Sequence, residues 1–329
     1  MKVQATKPVI HVENISKTFY LRKKIGFFKT EKIPKQAVKQ ANFDIYPGEI
    51  VGFIGTNGAG KSTTIKMMTG ILTPSEGHCT VSDIIPYESR IENAKNISVV
   101  FGQRTQMNWD LTVEDNFILL KEIYDVSDED FNKQLDLLEK HMTIKKLWHQ
   151  QVRSLSLGQR VLIDIAVALI HSPKVIFLDE PTIGLDIMIK DKILKTLKLI
   201  NQQENVTIIL TTHDLSEIEM LCDRIIIIEE GQIIYDDSKE NMLTKFATSA
   251  SIQFDVELEE IEAIIAFFTT KNVTYEISDN HLTIAIDPSK HDEKEILSEL
   301  YKEFTINNMG IKRTSVQDVV RNIYSKEEA

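Results

Sequence analysis

The chain has 329 residues, 42% hydrophobic and 26% charged, the proportions of a folded globular protein rather than a disordered or fibrous one. Its 38 Lys and Arg against 49 Asp and Glu give a formal charge of -11, which argues against coating phosphate backbones, so nucleic acid is not expected as a partner. Two cysteines, Cys79 and Cys222, are too few for a disulfide framework or a Cys-rich metal site and fit a reducing compartment.

In chain order, Met1 to Pro8 lacks the apolar core of a signal peptide, and no stretch approaches the roughly 20 apolar residues that span a bilayer. The chain is not expected to enter a membrane by itself. Arg22, Lys23, Lys24, Lys29, Lys32, Lys35 and Lys39, interleaved with Phe27 and Phe28, read either as a solvated loop between two strands or as a basic, aromatic-tipped loop facing a membrane surface. Short apolar runs then recur at Gly48 to Ile54, Ile97 to Phe101, Val175 to Leu178, Val206 to Leu210 and Arg224 to Glu229. Helical patterns separate them: Lys61 to Met68, Asp130 to His141, Gly158 to Ile170, Ile187 to Gln203 and Asp214 to Cys222. Continuously apolar strands alternating with helices predict a mostly parallel sheet covered on both faces, an α/β fold.

Past Gly231 the rhythm changes to an α+β unit of about 80 residues, small for a domain. Ser251 to Val256 reads as a half-buried strand, Leu258 to Thr270 as a helix, and Val273 to Ile277 with His281 to Ile286 as a hairpin around Asp279. Asp292 to Phe304 and Val316 to Tyr324 read as helices flanking a strand near Gly310 to Arg313. The apolar face of Ile252, Phe254 and Val256 looks too large for so small a unit to cover and favours support of a dimer.

The chemistry begins at Gly55, Thr56, Asn57, Gly58, Ala59, Gly60, Lys61 and Ser62, a glycine-rich run between a predicted strand and a predicted helix. In that context backbone N–H groups converge on phosphate oxygens at a helix N-terminus. Lys61 would reach the β and γ phosphates and the Ser62 hydroxyl would serve Mg2+, with Thr63 next in the cradle. The strand Val175 to Leu178 ends in Asp179 and Glu180, acids placed for the crevice where α/β sheets bind ligands. Asp179 fits the holding of Mg2+ through water, and Glu180 a general base acting on water.

Leu155-Ser156-Leu157-Gly158-Gln159-Arg160, just before that strand, resembles the signature motif of the ABC-transporter ATPases. The resemblance spans about Val9 to Gln232 and includes the family's motifs in order. It implies that Gln103 is the Q-loop glutamine touching Mg2+ and the membrane subunit, that Gly184-Leu185-Asp186 is the D-loop, and that His213 is the switch histidine at the γ-phosphate. It also implies ATP and Mg2+ as cofactors and a dimer in which Ser156, Gly158 and Gln159 serve the partner's nucleotide. The family stacks an aromatic on adenine from the loop after the first strand; Phe19 matches by position, with Tyr20 adjoining. Leu157 stands where the commonest family motif has glycine.

The implied domains are an ABC ATPase of residues 1–246, with a helical subdomain at about 104–172, and a C-terminal α+β domain of residues 247–329. The basic insertion, Leu157 and the run Phe101 to Asp110 resemble the ABC-2-type branch of multidrug or viologen exporters, as does the Ser-capped helix after Thr314. That branch implies an ATPase at the cytoplasmic face of the membrane, working as a homodimer or heterodimer with separate ABC-2-type permease subunits. The alternative is a soluble, non-transport ABC ATPase; ribosome-acting members carry two cassettes and DNA-break members a long coiled coil, and neither is seen in this sequence.

Overall fold

A computed structural model describes residues 7–24, 30–102, 104–246, 250–278, 280–286, 292–312 and 315–327. Gln103, Phe27, Phe28, Lys29, Asp279, Arg313 and Thr314 lie outside the described residues. The chain divides into two compact units, Met1–Ser238 and Lys239–Ala329. The division thus falls before the helix Lys239–Phe246, ahead of the expected boundary at residue 246.

The first unit contains strands β1 (Ile10–Lys24), β2 (Thr30–Ile45), β3 (Ile50–Ile54), β4 (Glu76–Val81), β5 (Ile97–Phe101), β6 (Val175–Asp179), β7 (Thr207–Thr211), β8 (Arg224–Glu229) and β9 (Gln232–Ser238). Its helices are α1 (Lys61–Met68), α2 (Arg90–Asn96), α3 (Val113–Tyr124), α4 (Asp128–Met142), α5 (Leu157–Ala168), α6 (Ile187–Glu204) and α7 (Leu215–Leu221). Six strands form one sheet in the order β5-β6-β7-β3-β8-β9, parallel except for β9. Residues Val175 to Leu178 of β6 and all of β3 and β7 are buried. That is why these strands read as unbroken apolar runs, since interior parallel strands present both faces to helices.

Most of the basic segment's described residues lie in strands rather than in a loop. Arg22 and Lys23 belong to β1, and Lys32, Lys35 and Lys39 to β2, in one long antiparallel pair that matches Arg22 with Lys32 and Lys23 with Glu31. Its inner end is anchored by Ile10, Val12, Ile15, Val38, Ala41, Phe43 and Ile45 in the core. The outer end is exposed, so charged side chains are tolerated on an extended backbone and the charge run hides the strand. With β4 the pair makes a second sheet, β2-β1-β4, antiparallel throughout.

Between β5 and β6 lies the expected helical segment. Thr112 caps α3 in a capping box with Asp115, and Ser127 caps α4, whose first turn Asp128, Glu129 and Asp130 complements the helix dipole. Phe117 packs its ring 5.1 Å from that of Trp148, and Val161 to Ile170 are all buried, giving α5 its apolar run.

The second unit comprises α8 (Lys239–Phe246), β10 (Ala250–Val256), α9 (Ile261–Lys271), β11 (Thr274–Ser278), β12 (His281–Ile286), α10 (Glu293–Glu303), β13 (Ile306–Lys312) and α11 (Val316–Glu327). Its sheet runs β11-β12-β10-β13, all antiparallel. Ile252, Phe254 and Val256 are buried against Ile264 and Phe268 of α9 and Ile296 and Leu300 of α10. The expectation that this face lacks cover is therefore corrected: two amphipathic helices close it within the unit. Ser315 caps α11 as expected, its hydroxyl accepting from the Asp318 N–H at 3.2 Å. Among the described residues, no helix is long and apolar enough to cross a membrane.

Candidate active site

The order β6-β7-β3 brings three strand ends together at one edge of the parallel sheet. β3 runs into the glycine-rich loop, β6 ends at Asp179, and β7 ends at Thr211, two residues before His213. Gly58 and Gly60 have φ of +86° and +115°, backbone that glycine adopts without steric cost. A Cβ at Gly60 would meet the Ala37 carbonyl at 2.6 Å, and one at Gly55 the Ile228 carbonyl at 2.3 Å. Ala59 is buried and its carbonyl accepts from Gly231 N–H at 2.8 Å, tying the loop to the turn after β8. Asn57 is exposed at the loop crest, and Thr63 is half-buried in the first turn of α1.

Lys61 is buried, and its Nζ donates to the carbonyls of Gly55 at 2.5 Å and Thr56 at 3.2 Å. Burial lowers its pKa, opposed by the carboxylates of Glu180 and Asp179. The loop therefore holds its one cation next to the two acids. Ser62 Oγ donates to Asp179 Oδ2 at 3.3 Å, and Thr211 Oγ1 donates to Asp179 Oδ1 at 2.5 Å. A hydroxyl beside a carboxylate is a hard-oxygen donor pair, the chemistry Mg2+ selects. Ser62, Lys66, Phe101, Gly102, Asp179 and Glu180 line a cleft of about 550 Å³.

Glu180 is held in the left-handed region at φ +51°, a conformation that persists only where neighbours over-determine it. Its N–H donates to Thr211 O at 3.0 Å, and Gly102 N–H donates to Asp179 O at 2.9 Å. His213 Nδ1 lies 3.5 Å from Glu180 Oε1. Behind them, Lys190 pairs with Asp214 at 2.6 Å and with buried Glu217 at 2.9 Å, and Thr182 donates to Glu217. This network fixes the two turns that carry Glu180 and His213.

The remaining residues are not among those lining that cleft, although Gly184 and Leu185, just before Asp186, share a small pocket with Glu180 and His213. Ser156 is the N-cap of α5 in a capping box with Gln159, donating its N–H to Gln159 Oε1 at 2.9 Å. A Cβ at Gly158 would meet Ile189 of α6 at 2.7 Å, so Gly158 lets the two helix starts approach. Asp186 caps α6, accepting from Ile189 N–H at 3.1 Å. Next to it Ile187 and Met188 are 76% and 78% exposed. Phe19 lies inside β1 rather than in a loop after it, pairs with Lys35 and is partly exposed, with Lys17 Nζ 5.6 Å from its ring centre. Tyr20 is more exposed still.

Two features had no place in the expectations. Gly102 must be glycine, because a Cβ there would meet the Glu180 carbonyl oxygen at 1.8 Å; a glycine just past an apolar strand is the signal for such close approach. Asp164, buried in α5, accepts from Thr105 Oγ1 at 2.6 Å and so ties the segment after Gly102 to the helix begun by Ser156. An acid inside the apolar run Val161 to Ile170 was its trace in the sequence.

A family model for the ABC transporter matches residues 38–183. The chain is 31% identical over 215 residues to the ABC transporter ATP-binding protein NatA of Bacillus subtilis, covering 65% of this chain and 87% of that protein. It is 28% identical over 284 residues to the linearmycin resistance ATP-binding protein LnrL of the same organism, covering 86% and 90%. A solved dimeric ATP-binding cassette, in a post-hydrolysis state bound to ADP and Pi, matches with a TM-score of 0.58 and 27% identity over 70% of this chain and 98% of its own. Fold, phosphate loop and relatives agree, and the chain belongs to the ABC transporter family of ATP-binding proteins.

Proposed function

We propose that this chain is the ATP-binding and ATP-hydrolysing subunit of an ABC-2-type exporter, held at the cytoplasmic face of the membrane by separate permease subunits that it drives through ATP-dependent dimerisation. The observation that carries the reading is the convergence of Lys61, Ser62, Asp179, Glu180 and His213 at one sheet edge.

The surroundings of the described residues support the following roles. The loop N–H groups from Asn57 to Thr63 and the α1 N-terminus offer a cradle for phosphates, with Lys61 as its cation. Ser62 and Asp179, with Gln103, would hold Mg2+, which supplies charge neutralisation on the phosphate oxygens when bound. Glu180 takes the proton of the attacking water, and His213, 3.5 Å away, positions that carboxylate and contacts the γ-phosphate. Phe19 offers a flat face to adenine.

Ser156, Gly158, Gln159 and Asp186 belong to two adjoining helix starts beside the exposed Ile187 and Met188. The Ser-capped N-terminus of α5, an end that favours anions, with apolar side chains beside it, suits a face that closes on the γ-phosphate bound by another chain. ATP then bridges two subunits, and hydrolysis removes the bridge, a two-state device able to drive a membrane partner.

Purification from the native host in mild detergent tests the reading: a polytopic membrane protein should co-purify and raise the ATPase rate on reconstitution. Full ATPase activity with no membrane partner retained would contradict the exporter assignment.

A further inference from the structure

A cluster of metal-binding side chains lies on the second sheet, apart from the nucleotide machinery. Ile10 and Val12 of β1 point into the core, so strand alternation sends His11 and Glu13 to the opposite face. On one side β4 pairs His78 opposite Glu13, and on the other β2 pairs Asp44 opposite His11. Register alone therefore gathers two imidazoles and two carboxylates onto one face, with Glu13 and His78 exposed and His11 and Asp44 half-buried.

Their geometry is that of a ligand set. His78 Nε2 lies 3.4 Å and His11 Nε2 3.9 Å from the same oxygen, Glu13 Oε2, and donor atoms of the three residues all lie within 4.8 Å of one another. A tetrahedral ion with bonds near 2.0 to 2.1 Å needs donors about 3.3 Å apart, a closure that side-chain rotation supplies. Asp44 Oδ1 engages His11 Nδ1 at 2.6 Å. A carboxylate on one ring nitrogen orients the other, the arrangement found behind metal-bound histidines.

We propose that His11, Glu13 and His78, with Asp44 behind His11, form a binding site for a first-row divalent transition metal such as Zn2+. Two imidazoles and one carboxylate favour Zn2+ over the oxygen-seeking Mg2+ and Ca2+, and three protein ligands leave a position for water. The bound ion would clasp β1 to β4. His11 is eight residues from Phe19 along β1, roughly 26 Å of extended chain, so occupancy should be independent of nucleotide.

The test is calorimetric titration of the untagged full-length protein with ZnCl2, alongside thermal melts with and without EDTA. One Zn2+ per chain should bind, raise Tm and be reversed by EDTA, whereas any response to Mg2+, which would come from Ser62 and Asp179, should be the same in wild type and in His11→Ala. His11→Ala and His78→Ala should each weaken binding at least tenfold, and Asp44→Asn by about 10- to 100-fold. Each variant should keep its metal-free Tm near wild type, because His78 is exposed and His11 and Asp44 are only half-buried; if His78→Ala melts early, His78→Gln serves in its place. Lys61→Ala should bind Zn2+ as wild type does. The proposal is overturned if no stoichiometric Zn2+ binds at millimolar metal, or if affinity is unchanged in both His11→Ala and His78→Ala, in which case the four side chains form cross-strand ion pairs only.

Discussion

Gly102 and Glu180 touch so closely that a single added methyl would collide: a Cβ on Gly102 would stand 1.8 Å from the Glu180 carbonyl oxygen. The contact is backbone to backbone, with no flexible side-chain end to give way. It holds the residue proposed as general base in its left-handed turn at φ +51°.

Gly102→Ala should therefore displace Glu180 and cost stability by the roughly 1 to 3 kcal/mol of an overpacked site, or more. The ATPase rate should fall at least tenfold while ATP affinity stays within a few-fold, since the phosphate loop is untouched. Equilibrium nucleotide binding beside steady-state turnover checks this. An unchanged rate would show that the contact does not position Glu180.

Glu180→Gln keeps the shape of the side chain and removes its basicity. Hydrolysis should slow by about 10² to 10⁴, the usual worth of a positioned base, and ATP-bound dimer should accumulate on size-exclusion chromatography. Near-normal turnover would assign the base elsewhere.

Asp164 predicts a pH effect with a definite sign. Burial pushes its carboxyl up to about 6, opposed by hydrogen bonds from Thr105 and Gln106 and by Arg160. The folded protein then holds a proton that the unfolded chain releases near the ordinary value of 3.8. The associated stability is fully present below that lower value and is lost as pH rises through about 6, on the order of 3 kcal/mol. Asp164→Asn keeps an acceptor for Thr105 and removes the ionisation. Its stability relative to wild type should rise between pH 4 and 7, read from urea melts at several pH values. A flat difference would contradict the buried-carboxylate account.

The second unit closes its own core around Phe254, Phe268, Leu282 and Leu300. Residues 239–329 expressed alone should melt cooperatively, and Phe254→Ala should cost about 3 to 5 kcal/mol. A non-cooperative melt would mean that this core needs the ATPase unit.

Much of this was legible in the sequence, for reasons that differ along the chain. Strands β6 and β8 announce themselves because interior parallel strands are apolar on both faces. The starts of α5 and α6 are marked by Ser156 and Asp186, residues whose short side chains cap helices. The β1–β2 pair was hidden, because beyond its anchored end Arg22, Lys23, Lys32 and Lys35 project into solvent and a charge run looks like a loop. The cover over Ile252, Phe254 and Val256 was equally invisible, since it comes from helices α9 and α10 whose docking no local pattern records. The phosphate loop and its acids were readable as motifs. What holds them was not: Gly102 against Glu180, and Thr105 on Asp164, are contacts between segments distant in the chain.

The central claim, a nucleotide site completed by a second chain, is tested most directly by mixing two inactive variants. Lys61→Ala disables the phosphate loop, and Ser156→Arg blocks the face offered to the partner. A dimer containing one of each rebuilds one intact site, so random pairing of equal amounts should restore about a quarter of the wild-type ATPase rate, with each variant near zero alone. A mixture no more active than its components, although subunits exchange, would contradict the shared site.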